Sequence, residues 1–283
     1  MPSPKTVSVQ RRTVDVVRAS KAGATRQDDE VAVEEPLEIR VAGDALAITM
    51  RTPGHDRELV MGFLWAEGVI ASLADVGAIA HCGRTGDPGR ENTIDVTPAP
   101  GARLALPDGA FARRGTLTTS ACGVCGRRSL DDLLARCVPL GGHAPYSVAA
   151  ALRAVESLRG GQPLFAKTGG CHGAALADHD GAIVATFEDV GRHNAVDKLV
   201  GARLLAGGLP AREHALVVSG RTSFEIVQKA LAAGIPHVVG ISAPSSLAID
   251  TARRAGMTLM GFARGEGLVV YAGTLAEVTS PRT

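Results

Sequence analysis

From about residue 146 onward the chain alternates between two hydrophobic periodicities, and this restricts the fold more than any other feature of the sequence. Helical spacing over 147–158 is followed by ALADHDGAIVATFED (175–189), a hairpin turning at Asp180-Gly181, and by helix 193–206. The runs ALVVSG (215–220), HVVGIS (237–242) and TLMGFAR (258–264) then alternate with helices 223–233 and 245–255. Strands interleaved with helices imply a largely parallel sheet covered by helices on both faces, so the second half is expected to be α/β.

The first half reads differently. Its first ~27 residues are polar apart from Val14–Val17 and are expected to be loosely held. LEIRVAGDALAITMRT (37–52) has strand alternation with a turn at Gly43-Asp44. Apolar positions 59, 60, 63 and 64 place a helix over 56–67, and Thr93–Val96 is a strand candidate. RRGTLTTSACGVCGRR (113–128) has almost no apolar side chain to anchor it and is expected to be a loop, with Ser129 capping a short helix that ends at Cys137. The expected division is a polar segment 1–28, a smaller β-rich α+β part 29–145, and an α/β part 146–283. Aromatic residues make up only 3% of the chain, so its cores must be built from Ala, Val, Leu and Ile.

Charge excludes one class of partner. Residues 1–145 carry 17 Lys/Arg against 18 Asp/Glu, and residues 146–283 carry 13 against 11, so no basic half exists to track a nucleic-acid backbone. No apolar run is long enough to span a bilayer and no secretory h-region opens the chain, so a cytoplasmic protein with no membrane association is expected. Five cysteines (82, 122, 125, 137 and 171) in such a chain point to thiols, metal or catalysis rather than a disulfide scaffold.

Cys122-Gly-Val-Cys125 admits three readings. A structural zinc site needs two further ligands, typically a second CxxC or a histidine pair, and Cys82, Cys137 and Cys171 stand alone. The zinc deaminase pattern fails as well: no His or Cys is followed two positions later by Glu, and Thr119-Ser120-Ala121 stands where Pro would be. A dithiol redox site would place the first Cys at a helix N-terminus, whereas this pair lies four residues before the expected cap. A carrier thiol on a swinging loop would use the flanking Arg113, Arg114, Arg127 and Arg128 to favour thiolate and the glycines for freedom.

Several turns beside the expected sheet could hold a ligand. Ser219-Gly220-Arg221-Thr222-Ser223 follows a strand and opens a helix, where a phosphate could bind, although Thr222 with Glu225 also reads as a capping box. Ser242–Ser246 is more simply a cap. Glu188–Asn194 holds more ionisable and amide groups than capping needs, which suits either function or an internal ion-pair network. In Gly169–Gly173, Cys171 reads as a buried structural thiol beside His172. The last turn, Phe262, Ala263, Arg264, Gly265, Glu266 and Gly267, is either a plain hairpin or a stacking lid for a purine.

The segments TSACGVCG (119–126), GGCHGAAL (169–176), EDVGRHNAVDKLVG (188–201), SGRTSFEIVQKA (219–230) and SAPSSLAI (242–249) together resemble the FdhD family of formate dehydrogenase accessory sulfurtransferases, over about residues 30–272. That resemblance implies a cytidine deaminase-like three-layer α/β/α fold without the zinc signature. It also implies a homodimer that takes sulfur from a cysteine desulfurase. The sulfur, held as a persulfide, would pass to the metal of a Mo-bis(molybdopterin guanine dinucleotide) cofactor destined for formate dehydrogenase, with no metal bound directly by the protein. Cys122 matches the persulfide cysteine and Cys125 the second cysteine, while Phe262–Gly267 matches the stretch that meets the cofactor and its guanine nucleotide. A non-catalytic cofactor chaperone and, less well supported, a dithiol oxidoreductase are the alternatives.

Overall fold

The computed structural model describes residues 10–83, 90–105 and 140–276. Its strands are β1 (Arg11–Ser20), β2 (Gly23–Ala32), β3 (Glu35–Val41), β4 (Asp44–Arg51), β5 (Val76–His81), β6 (Thr93–Pro98), β7 (His172–Ala177), β8 (Ile183–Asp189), β9 (Ala215–Val218), β10 (His237–Gly240), β11 (Thr258–Arg264) and β12 (Gly267–Ala272). Its helices are α1 (Asp56–Ala66), α2 (Val148–Gly160), α3 (Pro163–Thr168), α4 (Arg192–Leu205), α5 (Phe224–Ala232) and α6 (Ser246–Ala255).

The larger sheet has the order β12-β11-β10-β9-β7-β8. It is mixed rather than largely parallel. β9, β10 and β11 run parallel, whereas β7 and β8 form a hairpin antiparallel to β9, and β12 returns antiparallel to β11. The difference follows from the connections. The turns at Asp178–Ala182 and Gly265-Glu266 are too short for a crossover, so each must reverse the chain, and only the helical links through α5 and α6 can produce parallel neighbours.

Both faces of this sheet are covered. On one, Leu176, Leu216, Val218, Val238 and Leu259 pack against α4, α5 and α6; on the other, Ala175, Ala177, Val217, Val239 and Met260 meet α2. Consecutive residues of β9 therefore enter opposite cores, as strand pleating requires.

The second sheet, ordered β4-β3-β6-β5, carries Leu37, Ile39, Val41, Ile94 and Val96 against Leu59, Met61 and Leu64 of α1, with Leu204 of α4 closing the same cluster. Residues 11–32, expected to be loosely held, instead form the hairpin β1–β2 in continuous register. Cross-strand pairs of Arg11 with Glu30 and Arg26 with Asp15 match opposite charges along it, and both strands stay mostly exposed because few of their side chains are apolar. Strand β5 and helix α3 have no counterpart in the sequence reading. The loop with Cys122 and Cys125, and the helix expected from Ser129, lie outside the described residues.

The two sheets are joined where α1 crosses α4, and the crossing is closed by glycines. A Cβ on Gly62 would lie 1.9 Å from the Asp197 carbonyl oxygen, and one on Gly201 would lie 1.8 Å from that of Glu58. The helices touch backbone to backbone. A third helix locks them, since the Trp65 indole N–H donates to the Ala232 carbonyl at 2.8 Å and the Lys229 ammonium meets Asp197 at 2.6 Å. Gly201→Ala should accordingly lower the unfolding free energy by about 2–4 kcal/mol, because the added methyl meets backbone that cannot rotate aside. Urea denaturation checks this, with Gly207→Ala as a control for a glycine that meets nothing within 4 Å but has φ +68°.

Candidate functional site

The carboxyl ends of β9, β10 and β11 form one open edge of the larger sheet. Such edges are where α/β proteins gather ligand-binding turns. Pairing of Ala174 with Val218 and of His172 with Asp189 brings the start of β7 and the end of β8 to the same edge. Four of the turns noted in the sequence thus converge: 169–173, 188–194, 219–223 and 242–246.

The Glu188–Asn194 turn divides its side chains by direction. Asp189, wholly buried, accepts from the Lys198 ammonium at 2.7 Å, from Thr52 N at 3.1 Å, from Gly191 N at 2.8 Å and from the Asn194 amide at 3.0 Å. Lys198, also wholly buried, donates further to the Thr52 and Glu188 carbonyls at 2.9 and 3.3 Å. Asn194 reaches back to the Met50 carbonyl at 2.7 Å and accepts from Thr49 Oγ1 at 3.1 Å. This is an internal network, and it ties the end of β4 to the start of α4. Glu188 turns to α3, accepting from Leu164 N and Phe165 N at 2.9 and 2.8 Å, and from the Cys171 thiol at 3.3 Å. Burial, then the hydrogen bond to Glu188, pushes that thiol well above its ordinary range. Cys171 is the structural thiol expected, not a nucleophile.

Arg192 and His193 remain for the edge. His193 shares a hydrogen bond with Ser223 Oγ at 3.1 Å and lies 3.7 Å from Glu225. Burial opposes ionisation of Glu225, but the Ser223 and backbone hydrogen bonds and the charges of His193 and Arg192 outweigh it and hold the carboxyl below its usual range. Ser223, not Thr222, occupies the N-cap position of α5, and no side chain caps that helix. Its hydroxyl is committed to the His193–Glu225 side. The capping box expected from Thr222 and Glu225 is absent: Thr222 is fully buried, and its hydroxyl faces Gly240, where a Cβ would come within 2.5 Å of it. From the 219–223 turn only Arg221 and Ser223 can offer side chains to a ligand. Helix α4 also begins without a side-chain cap, at Gly191, whereas Ser245 caps α6 by accepting from Ala248 N at 3.3 Å.

The result is a cationic edge: two helix N-termini without side-chain caps beside Arg192, Arg221 and His172. A Cβ on Gly220 would lie 3.1 Å from His172 Nδ1 and 3.8 Å from Arg192 Cβ, so the turn passes close over both. Burial, then Arg192 and Arg221 against the opposing pull of Asp189, holds His172 below its ordinary pKa. The arrangement favours an anion with several oxygen acceptors.

The β11–β12 turn lies farther along the same edge. Phe262 stands at φ +52° and is 39% exposed. A bulky residue in the left-handed region is strained, and such strain collects at functional turns. Ala263 is buried in the α2-side core and has only backbone to offer a ligand, while Arg264, Gly265 and Glu266 are exposed and Gly267 closes the pair with Arg264. Arg192 and His172 were not singled out as ligand residues in the sequence. The only available signal was their position beside a turn or strand start, and nothing local says that β7 and α4 begin at the same edge. Among the described residues no three His, Cys, Asp or Glu side chains are placed to hold a metal, and no helix is long and apolar enough to cross a membrane.

This mixed α/β architecture, with its glycine-rich turns gathered at one edge, defines a class that has known members. The profile of the FdhD/NarQ family matches residues 32–276. A protein named sulfur carrier protein FdhD from Anaeromyxobacter dehalogenans (strain 2CP-1 / ATCC BAA-258) is 54% identical over 256 residues, which is 88% of each chain. One of the same name from Nocardia farcinica is 48% identical over 271 residues, 94% of each. A crystal structure of a protein named for a formate dehydrogenase accessory role, from Desulfotalea psychrophila, superposes with a TM-score of 0.73 at 25% identity, covering 93% of this chain and 98% of that one. The chain belongs to the FdhD/NarQ family.

Two measurements probe the site. Lys198→Met leaves the Asp189 carboxylate buried without its cation and should cost about 3–5 kcal/mol in stability. Arg221→Ala removes a positive charge that disfavours the imidazolium, so the His172 pKa should rise; an NMR titration of the ring gives the direction.

Proposed function

We propose that this chain is a sulfurtransferase that serves formate dehydrogenase by carrying sulfur on Cys122 to a bis-molybdopterin guanine dinucleotide cofactor, its cargo. The observation that carries the reading is the cationic edge, where uncapped α4 and α5 meet Arg192, Arg221 and His172: it suits the phosphates of a dinucleotide. The names of the relatives at 48–54% identity supply the sulfur and the client. In this reading the sheet has the cytidine deaminase-like arrangement, the chain works as a homodimer in the cytoplasm, and a cysteine desulfurase is the donor.

The residues divide the work. The Cys122 thiolate attacks the terminal sulfur of the donor's persulfide; the new S–S bond forms on Cys122, the donor's S–S bond breaks, and the donor leaves as thiolate. Arg113, Arg114, Arg127 and Arg128 favour the attacking thiolate. Cys125 then attacks the inner sulfur of the Cys122 persulfide, releasing sulfide toward the cargo and leaving a Cys122–Cys125 disulfide for a cellular thiol to reduce. Arg221 and Ser223 hold phosphate oxygens and Phe262 stacks on a purine, with Arg264 and the backbone of Ala263, Gly265, Glu266 and Gly267 beside it; Thr222 supports the turn from beneath.

Incubation with a cysteine desulfurase and cysteine should add one sulfur to the intact mass of the wild type and none to Cys122→Ala, whose melting temperature stays unchanged. Cofactor binding with no sulfur adduct would favour a pure chaperone. In calorimetric titrations with guanosine diphosphate, Phe262→Ala should weaken binding by about 1–3 kcal/mol. Arg221→Ala should weaken it more at low salt than at high salt, and Cys122→Ala should bind like wild type. Normal binding by both edge variants would remove the nucleotide from this edge.

A further inference from the structure

The larger sheet has a second open edge, where β9 and β10 begin. There the segment 140–146, the β7–β8 turn and the loop before β9 enclose a cavity of about 550 Å³, lined among others by Leu140, His143, Tyr146, Arg212, Glu213 and His237. No motif used above contributes to it.

One wall is aromatic. The His237 ring lies between His143, edge-on with centroids 4.8 Å apart, and Tyr146, tilted at 5.1 Å. Tyr146 is occupied, its hydroxyl donating to the Asp178 carbonyl at 2.6 Å. His237 is only 4% exposed, yet its Nδ1 has no hydrogen-bond partner, and neither has the Nδ1 of His143. A buried polar atom left unpaired costs about 1–3 kcal/mol, so its retention calls for an explanation. Burial, then the neighbouring His143, pushes the His237 pKa down to about 4, against a backbone hydrogen bond with Ala144. A neutral imidazole carries one N–H and one lone pair. With the proton shared toward Ala144, Nδ1 is left as an acceptor. Among the described residues no third His, Cys, Asp or Glu joins the two rings as a metal ligand, so the open nitrogens suit an organic donor. Exposed Arg212 supplies a cation at the rim.

We propose that this cavity is a second ligand site, for a flat nitrogen heterocycle whose adjacent ring N–H and amino group meet Nδ1 of His143 and His237, with an anionic substituent at Arg212. Guanine and pterin rings share that donor pattern. The site is independent of the persulfide chemistry and lies at the edge opposite Arg192 and Arg221.

Long-range proton–nitrogen NMR on the full chain labelled at histidine reads these ring nitrogens directly. Guanosine monophosphate and 6-carboxypterin are the two probes, and which of them binds distinguishes a nucleotide from a pterin. Benzoate serves as a flat anion without donors. The Nδ1 signals of His143 and His237 should move with one or both probes and not with benzoate. Arg212→Ala should weaken that probe by roughly tenfold, while neutral guanosine is indifferent to the change. His237→Phe fills the same space without an acceptor and should abolish the response; should that variant not fold, the Arg212→Ala titration decides. Guanosine monophosphate bound only at the opposite edge would move His172 and leave the other two rings unchanged. That result from both probes, or an equal response to benzoate, overturns the proposal.

Discussion

The α1–α4 crossing, closed by Gly62 and Gly201, is the contact from which the other relations in the molecule follow. Backbone-to-backbone approach places Leu204 of α4 inside the core of the smaller sheet, so the two sheets share a helix rather than merely abutting. It also brings the end of β4 close enough for the Thr52 carbonyl to receive the Lys198 ammonium. A buried cation needs every donor answered, and here a carboxylate and two carbonyls answer it; removing any one would leave charge or dipole uncompensated in the core.

That network explains why α4 starts where it does, and the start of α4 shapes the candidate site. Asp189 and Asn194 are drawn inward by Lys198, Met50 and Thr49, so the intervening residues must bulge outward with Arg192 toward the sheet edge. Glu188 is drawn sideways to the backbone of α3, which orients the Cys171–His172 segment. A structural ion pair and a ligand-facing cation are thus neighbours in one turn. The density of polar residues seen there in sequence reflects two functions superposed on seven positions.

The helices and most strands of the second half were legible, because apolar spacing reports which face of an element is buried and burial drives their formation. Ser245 as a cap and Cys171 as a buried thiol were legible for the same local reason. Sheet polarity was less so: strand–helix alternation suggests parallel neighbours, but the short turns after β7 and β11 reverse the chain, and periodicity does not encode pairing partners. The β1–β2 hairpin escaped notice because its register rests on cross-strand charge matching rather than on an apolar face. Thr222 was misread as a cap since a capping box is a spacing rule, whereas its hydroxyl is turned toward Gly240 by tertiary packing.

The sequence by itself determined the class of elements, the aromatic-poor aliphatic cores, the family resemblance and the CGVC pair, all of which depend on residue type and near-neighbour spacing. Only the tertiary structure decided that four turns separated by as many as 74 positions, from His172 to Ser246, share one edge, and that His143 and His237 face a common cavity at the other. The physical reason is that an element's identity is set by which of its own side chains are apolar. Convergence of distant turns is set by strand order and by where two helices can approach, and both are properties of pairs that no single segment contains.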